Sequence, residues 1–132
     1  MTHRLLRRLF LSMLLMLSST SVKADFAYYG LEPDIVTNYL GTSSRDLGYV
    51  RLTIELMIAD AKYLEIIEHH DPLIRATIID IFGKQHGDRI KSLTGREEIR
   101  QMCLNAIKEQ LKAETGSEIV RNLIFTKYLY QD

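Results

Sequence analysis

The sequence predicts a small α+β domain, in which a three-stranded, mainly antiparallel sheet is packed by two helices in the order β-β-α-α-β. Residues 48–60 alternate aliphatic with mixed side chains, a period of two that is typical of a strand with one buried face. Residues 64–111 change to apolar spacings of three and four, which indicate helices, and residues 119–130 return to β-branched and aromatic types. Because the helices lie together in the middle, an α+β class is favoured.

The N-terminal segment, residues 1–24, has the pattern of a secretory signal peptide. Three arginines without an acidic neighbour precede a short apolar run, and a small-x-small site ends at Ala24. We expect cleavage between Ala24 and Asp25, which would leave residues 25–132 as one domain in the periplasm. The apolar run has about half of the roughly 20 residues that a membrane-spanning helix needs. The alternative is that the run extends to Val22 and stays as a short inner-membrane anchor, with the domain facing the periplasm.

Charge and cysteine content narrow the function class. The chain has 17 basic and 17 acidic residues, but four of the basic ones and none of the acidic ones lie in residues 1–24, so residues 25–132 carry a net charge of −4. Nucleic-acid binding requires a basic face, and a mildly acidic domain argues against it. The single cysteine, Cys103, cannot form an internal disulfide. We therefore expect the fold to depend on its hydrophobic core.

Two strands are predicted before the helices. Residues 25–40 are rich in β-branched and aromatic types, and Pro33 indicates an edge or a bend. A turn follows at residues 41–46. The next strand, residues 48–60, has a mixed face that is partly solvated or forms an interface, and an aliphatic face that we expect in the core. The aliphatic set is Val50, Leu52, Ile54, Leu56 and Ile58.

The middle of the chain predicts a short helix after Tyr63 and a longer one that begins at Asp71. Asp71 is typical of an N-cap and Pro72 of the first helical position, and residues 83–87 end this helix. One kinked helix is an alternative, because Pro72 disrupts only the preceding turn. The apolar positions are Leu64, Ile67, Leu73, Ile74, Ile78, Ile79 and Phe82, with His70 as a further candidate.

The last helix and the last strand complete the predicted domain. Thr94 and Glu97 are spaced as a capping box, and Gly116 ends the helix that they open. Residues 119–130 follow as a strand with substantial side chains on both faces, as in a central strand or one with a protein partner on its second face. Simple alternation places Leu123, Phe125 and Leu129 on one face and Val120, Ile124, Tyr128 and Tyr130 on the other.

One cluster of polar residues invites a metal interpretation. His69, His70 and Asp71 are consecutive, and His86 and Asp88 join them only if the fold brings them near. Adjacent residues on a helix do not share a face, and the spacing matches no established set of metal ligands. We therefore interpret the cluster as part of a helix start and expect no metal.

The remaining candidates also favour structural roles, so no catalytic or cofactor site is predicted. Glu97 and Glu98 resemble a pair of catalytic acids, but their place in a first helical turn explains them through capping and the helix dipole. Cys103 lies on an apolar stripe, as a buried, inert thiol does. Arg75 follows Asp71 by four residues, the spacing of a surface ion pair. Six tyrosines form an aromatic contact surface or simply reflect strand propensity: Tyr28, Tyr29, Tyr39, Tyr49, Tyr128 and Tyr130.

Five segments together resemble the periplasmic domain of the flagellar basal-body-associated FliL family. Residues 29–39 and 48–56 resemble the family's first two strands, and residues 70–79 contain its P-x-I-R helix start. Residues 92–100 resemble the start of the second helix, and residues 120–131 are similar to the aromatic-rich closing strand that ends in Gln. Their order and spacing cover nearly all of the predicted domain.

This resemblance implies a structural role without catalysis, metal or cofactor. Family members sit at the inner membrane of flagellated bacteria, associate with stator units and influence torque, swimming and swarming. The resemblance also implies a stomatin-like fold, stator and basal-body proteins as partners, and assembly of copies into rings. The mixed face of the second strand, or the helices, would carry these contacts.

Two points remain open from the sequence. Typical family members have a cytoplasmic tail, a true transmembrane helix and a linker, whereas the apolar run here is short and directly precedes the domain. The competing functions are a periplasmic adaptor or binding module unrelated to flagella, and a metal-dependent enzyme that uses His69, His70 and His86.

Overall fold

The structure, a computed structural model, describes residues 2–15, 25–41 and 45–131. Its elements in chain order are α1 (Thr2–Leu15), β1 (Ala27–Leu40), β2 (Leu47–Ile58), a 3₁₀ turn (Ala61–Tyr63), α2 (Leu64–His69), α3 (Asp71–Gly83), α4 (Gly87–Lys91), α5 (Leu93–Thr115) and β3 (Val120–Gln131). The chain is therefore an α+β domain, as predicted, preceded by an N-terminal helix.

The three strands form one antiparallel sheet in the order β1-β2-β3. The central strand is β2, because Leu52 pairs with Ile35 of β1 on one side and with Tyr128 of β3 on the other. β3 is thus an edge strand, and its interpretation as a central strand is wrong. β1 is the other edge, as Pro33 indicated, and its register shifts between Leu31 and Ile35.

The core lies between one face of this sheet and the helices. All five aliphatic residues predicted to face inward from β2 are buried, with exposures of 0–1%. They pack with side chains from β1, α2, α3, α4, α5 and β3 in one cluster. The principal helical contributions are Ile67, Ile74, Ile78, Phe82, Ile90, Ile99, Cys103, Ile107 and Leu111. Because the helices supply this single core, the mixed face of β2 lies on the opposite side of the sheet.

Two helix starts differ from the prediction. Helix α3 begins at Asp71, but its N-cap is His70, which forms no side-chain cap bond. Helix α5 begins at Leu93, and its N-cap is Ser92, whose hydroxyl accepts a hydrogen bond from the Gly95 amide at 2.9 Å. The predicted capping box of Thr94 and Glu97 is therefore wrong, because the N-cap lies two residues earlier, at Ser92. Extended backbone at Ser92 (φ −86°, ψ 148°) leaves its hydroxyl free to reach the first turn.

The segment between α3 and α5 is more helical than expected. Residues 83–87 end α3 as predicted, but α4 (Gly87–Lys91) follows after three residues and buries Ile90. Helices α2 and α3 are separate, since His70 between them leaves helical geometry at φ −95° and ψ 6°. Gly116 ends α5 as predicted, in the left-handed conformation (φ 77°) that glycine adopts without strain.

The faces of β3 differ from simple alternation. Val120, Leu123 and Phe125 are buried on the core side, whereas Leu129 is 57% exposed. Two register irregularities, opposite Thr53/Ile54 and Met57/Ile58, insert extra residues into this strand. Each insertion reverses the faces of the residues that follow. Leu129 therefore lies on the solvent side rather than beside Leu123 and Phe125.

The structure describes only part of the segment that was predicted to be a signal peptide or anchor, residues 1–24. Thr2–Leu15 is helical, and Leu5, Leu6, Leu9 and Phe10 are exposed. Ala24, on the N-terminal side of the predicted cleavage site, lies outside the described residues, as do residues 42–44 of the predicted turn at 41–46. None of the helices in the described part of the chain combines the length and hydrophobicity that crossing a bilayer demands.

Candidate protein-interaction surface

The outer face of the sheet, opposite the helices, carries exposed apolar side chains. The pairing register aligns Val36 of β1, Arg51 of β2 and Leu129 of β3 in one row across this face. The neighbouring row contains Tyr49, which pairs with Asn38 and Gln131. Cross-strand partners share a face, so these residues form a continuous surface.

Three of these residues define what we call the sheet patch: Val36, Tyr49 and Leu129. They are 61%, 56% and 57% exposed, respectively. Together with Arg51 they line a shallow depression of about 300 Å³. Tyrosine and arginine are among the residue types enriched at the centre of protein interfaces. The sheet patch can therefore bury apolar area against a partner protein.

A polar cluster borders the sheet patch and orients its arginine. The carboxylate of Asp34 accepts hydrogen bonds from Arg51 Nε at 2.9 Å and from Thr53 Oγ1 at 2.8 Å, and Lys127 Nζ lies 3.6 Å away. The bonds from Thr53 and Arg51 hold the pKa of the Asp34 carboxyl below its usual value. Asp34 thus stays ionised and links all three strands, while the Arg51 side chain remains 58% exposed.

The structure does not bring His86 to the pair of His69 and His70. His69 and His70 lie at the end of α2, with ring centroids 5.2 Å apart, and His70 Nδ1 bonds the Ile66 carbonyl at 2.8 Å. His86 and Asp88 lie beyond the other end of α3, whose 13 residues span about 20 Å. Within the described ranges, no group of three potential ligands is placed to hold a metal ion. The structure therefore separates the residues of the proposed metal cluster.

Asp71 and Arg75 make different contacts from the predicted pair. The Asp71 carboxylate accepts a hydrogen bond from the Tyr29 hydroxyl at 2.9 Å. Burial, followed by this hydrogen bond, raises the pKa of Tyr29 to about 12. Arg75 Nη1 donates to the Pro33 carbonyl oxygen at 2.7 Å. Both side chains connect α3 to β1, which is a structural role.

The two adjacent glutamates each pair with an arginine. Glu97 receives hydrogen bonds from Arg100 at 2.6 and 2.8 Å, and these lower the pKa of its carboxyl to about 2. Glu98 pairs with Arg89 at 2.7 Å. A carboxyl held ionised in this way does not serve as a general acid near neutral pH. Interpreting Glu97 as a capping residue is wrong, because its partner is Arg100.

The thiol of Cys103 is fully buried, as predicted. Burial raises its pKa to about 12, so the nucleophilic thiolate is suppressed at neutral pH. This agrees with its interpretation as an inert core residue.

The tyrosines divide between core and surface. Tyr39 is buried, and Tyr128 is half-buried with its hydroxyl bonded to the Ile90 carbonyl at 2.7 Å. Tyr28, Tyr49 and Tyr130 are 49–59% exposed. The tyrosines therefore form no single aromatic surface, and only Tyr49 belongs to the sheet patch.

Fold and surface define a small α+β domain whose outer sheet face exposes apolar side chains. The family model described as "Flagellar basal body-associated protein FliL" matches residues 28–131, and the chain belongs to this family. A curated relative, "Flagellar protein FliL" of Aquifex aeolicus (strain VF5), is 30% identical over 103 residues. The match covers 78% of this chain and 60% of that protein, so the chain spans well under the full length of this relative.

Proposed function

We propose that this protein is a non-enzymatic component of the flagellar motor that acts in the periplasm through contacts with stator units and so supports swimming and swarming. The family match over residues 28–131 carries the proposal, because it includes all three strands and every helix of the core. The separated histidines, the buried thiol and the ion-paired glutamates agree with a role without catalysis.

We propose further that the sheet patch carries the contact with the partner. Val36, Tyr49 and Leu129 present apolar area that the fold itself leaves uncovered. Burying such area against a partner contributes about 25 cal/mol per Å² before the costs of association are subtracted, so this face can supply binding energy. Arg51, oriented by Asp34, would give the contact polar specificity.

A complementation experiment tests this surface. In a strain that lacks the native gene, the chain carrying both Tyr49→Asp and Leu129→Asp should fail to restore swimming in soft agar, because two carboxylates would be desolvated in the contact. The control is Ile79→Asp, which places the same charge at a 41% exposed apolar position on α3. If the patch variant restores full motility and the Ile79 variant does not, the sheet patch is not the contact surface and the helices carry the contact.

A second experiment tests the role itself. Deletion of the gene should reduce swimming or swarming under viscous load, and tagged protein should co-purify with stator proteins from detergent-solubilised membranes. Unchanged motility at every load would contradict a motor function.

Localisation is proposed from the sequence pattern of residues 1–24. We propose export by a signal peptide that is cut between Ala24 and Asp25, with retention as an inner-membrane anchor as the alternative. Intact mass and fractionation of the native protein distinguish the two. A soluble periplasmic species beginning at Asp25 supports cleavage, whereas a full-length species in the membrane supports the anchor.

We also propose that copies assemble into a ring, in line with the resemblance to the family. Light scattering of the purified protein over a concentration series measures the mass of the assembly. A single-copy mass at every concentration would contradict self-assembly in the absence of a partner.

A further inference from the structure

A three-stranded sheet has two edges, and both edges of this one are long. β1 has 14 residues and β3 has 12. Outward-facing amide and carbonyl groups on such edges can pair with a strand of another molecule. The contacts along each edge therefore determine whether a second copy can extend the sheet.

At the edge of β3, side chains form hydrogen bonds with the backbone of Leu123. Arg100 Nη1, from α5, donates to the Leu123 carbonyl oxygen at 3.1 Å and to Asn122 Oδ1 at 2.9 Å. The same Asn122 oxygen accepts a hydrogen bond from the Leu123 amide at 2.9 Å. Both backbone groups of Leu123 are thus taken. The Glu97 carboxylate accepts two hydrogen bonds from the other side of the guanidinium, and the Arg100 side chain is only 20% exposed.

The edge of β1 is occupied in a similar way at Pro33. Arg75 Nη1, from α3, donates to the Pro33 carbonyl oxygen at 2.7 Å, and proline has no amide hydrogen to offer. At the end of the strand, the Leu40 amide donates to the Gln85 carbonyl oxygen at 2.9 Å. Each edge strand therefore has a carbonyl bonded to an arginine that projects from a helix.

The surroundings of the β3 edge would otherwise favour association. Leu93 is 84% exposed and Ile124 is 37% exposed, and both line a groove of about 390 Å³ between α5 and β3. Arg100 and Asn122 line the same groove. An added strand would bury these apolar side chains, so an unblocked edge here is a site of self-association.

We propose that Arg75 and Arg100 are edge guards: each guanidinium occupies a carbonyl of an edge strand and prevents a second copy of this chain from adding its own strand to the sheet. The guards leave the sheet patch as the open surface for contacts and keep the domain from extending its sheet into a filament. This goes beyond the proposed motor function, and it holds whichever partner the sheet patch binds.

The β3 guard is tested with the purified full chain carrying both Arg100→Ala and Asn122→Ala. Its weight-average mass by light scattering should rise with concentration above that of the wild type, toward twice the wild-type value. Hydrogen exchange at the Leu123 and Phe125 amides should slow as concentration rises. The control is Arg121→Ala, which removes one positive charge from an exposed position of the same strand and should keep the wild-type mass.

The β1 guard provides an independent test that leaves β3 intact. Arg75→Ala should produce the same concentration-dependent increase in mass, with exchange slowed along β1 instead. Wild-type mass in both guard variants, with native circular dichroism, overturns the proposal. If the β3 variant does not fold, the Arg75 variant alone decides: wild-type mass with native circular dichroism refutes edge guarding. Motility results do not enter this test, so failure of the motor function and failure of the guards remain distinguishable.

Discussion

Replacing Gly95 with alanine should destabilise the domain, although alanine is the better helix former. Gly95 is buried in the first turn of α5, against the backbone of α4. A Cβ built there would collide with the Arg89 carbonyl oxygen and lie 2.7 Å from the Arg89 carbonyl carbon. These are backbone atoms, so no flexible side chain can move aside. The helices themselves must separate.

The magnitude follows from two opposing contributions. Alanine in place of glycine in a helix gains about 1 kcal/mol from propensity. Overpacking a tight contact costs about 1–3 kcal/mol. The cost should lie at the upper end, because Ile90 anchors α4 in the core and its carbonyl accepts the Tyr128 hydroxyl bond. We expect Gly95→Ala to lower the free energy of unfolding by about 1–2 kcal/mol.

Gly83→Ala is the matched control. Gly83 is the last residue of α3, and a Cβ there would have no atom within 4 Å. The same substitution should therefore raise the free energy of unfolding, by about 0.5–1 kcal/mol. Urea unfolding followed by circular dichroism measures both variants. Opposite signs confirm the reasoning, and a Gly95 variant that is as stable as the wild type or more stable refutes it.

Three further predictions concern the core. The free energy of unfolding should fall as pH rises above about 9, by about 1.4 kcal/mol per pH unit for the Cys103 thiol. The reason is that this thiol ionises at its ordinary pKa in the unfolded chain but only near a pKa of about 12 in the folded domain. Urea titrations of wild type and Cys103→Ala at several pH values measure this slope. Phe82→Ala should cost about 3–5 kcal/mol in denaturant unfolding, since Phe82 is fully buried with its ring 5.9 Å from that of Phe125; a loss under about 1 kcal/mol would contradict this packing. Tyr29→Phe should cost about 1 kcal/mol through loss of its bond to Asp71, and no effect in the same assay would mean that the bond contributes nothing.

The sequence predicted the faces of β2 because strict period two leaves one arrangement for a half-buried strand. It also predicted α3 and α5, since their apolar stripes repeat at helical spacing, but it did not predict α4. The start of α5 was misplaced because Ser92 and Thr94 are both competent N-caps. With Ser92 as the N-cap, Gly95 of α5 lies close to Arg89 of α4. This contact between two helices leaves no pattern in the neighbouring residues of the sequence.

The candidate surface was predictable only in outline. The mixed character of β2 pointed to its outer face, but simple alternation placed Leu129 on the same face as Leu123 and Phe125, because bulges in β3 cannot be read from residue types. Val36 is β-branched and suits either face. The contacts of Arg75 and Arg100 with edge carbonyls join residues that are 42 and 23 positions apart, and sequence periodicity carries no information at such separations.

The antiparallel register also determines how far the sheet patch can reach. Ala27, where the chain enters the sheet, pairs with Ile58 at one end of β2, whereas Tyr49 lies nine residues away toward the other end. At about 3.3 Å per strand residue, the patch stands about 30 Å from the point of entry. Any attachment through the residues that precede β1 would therefore hold one end of the sheet and place the patch near the opposite end.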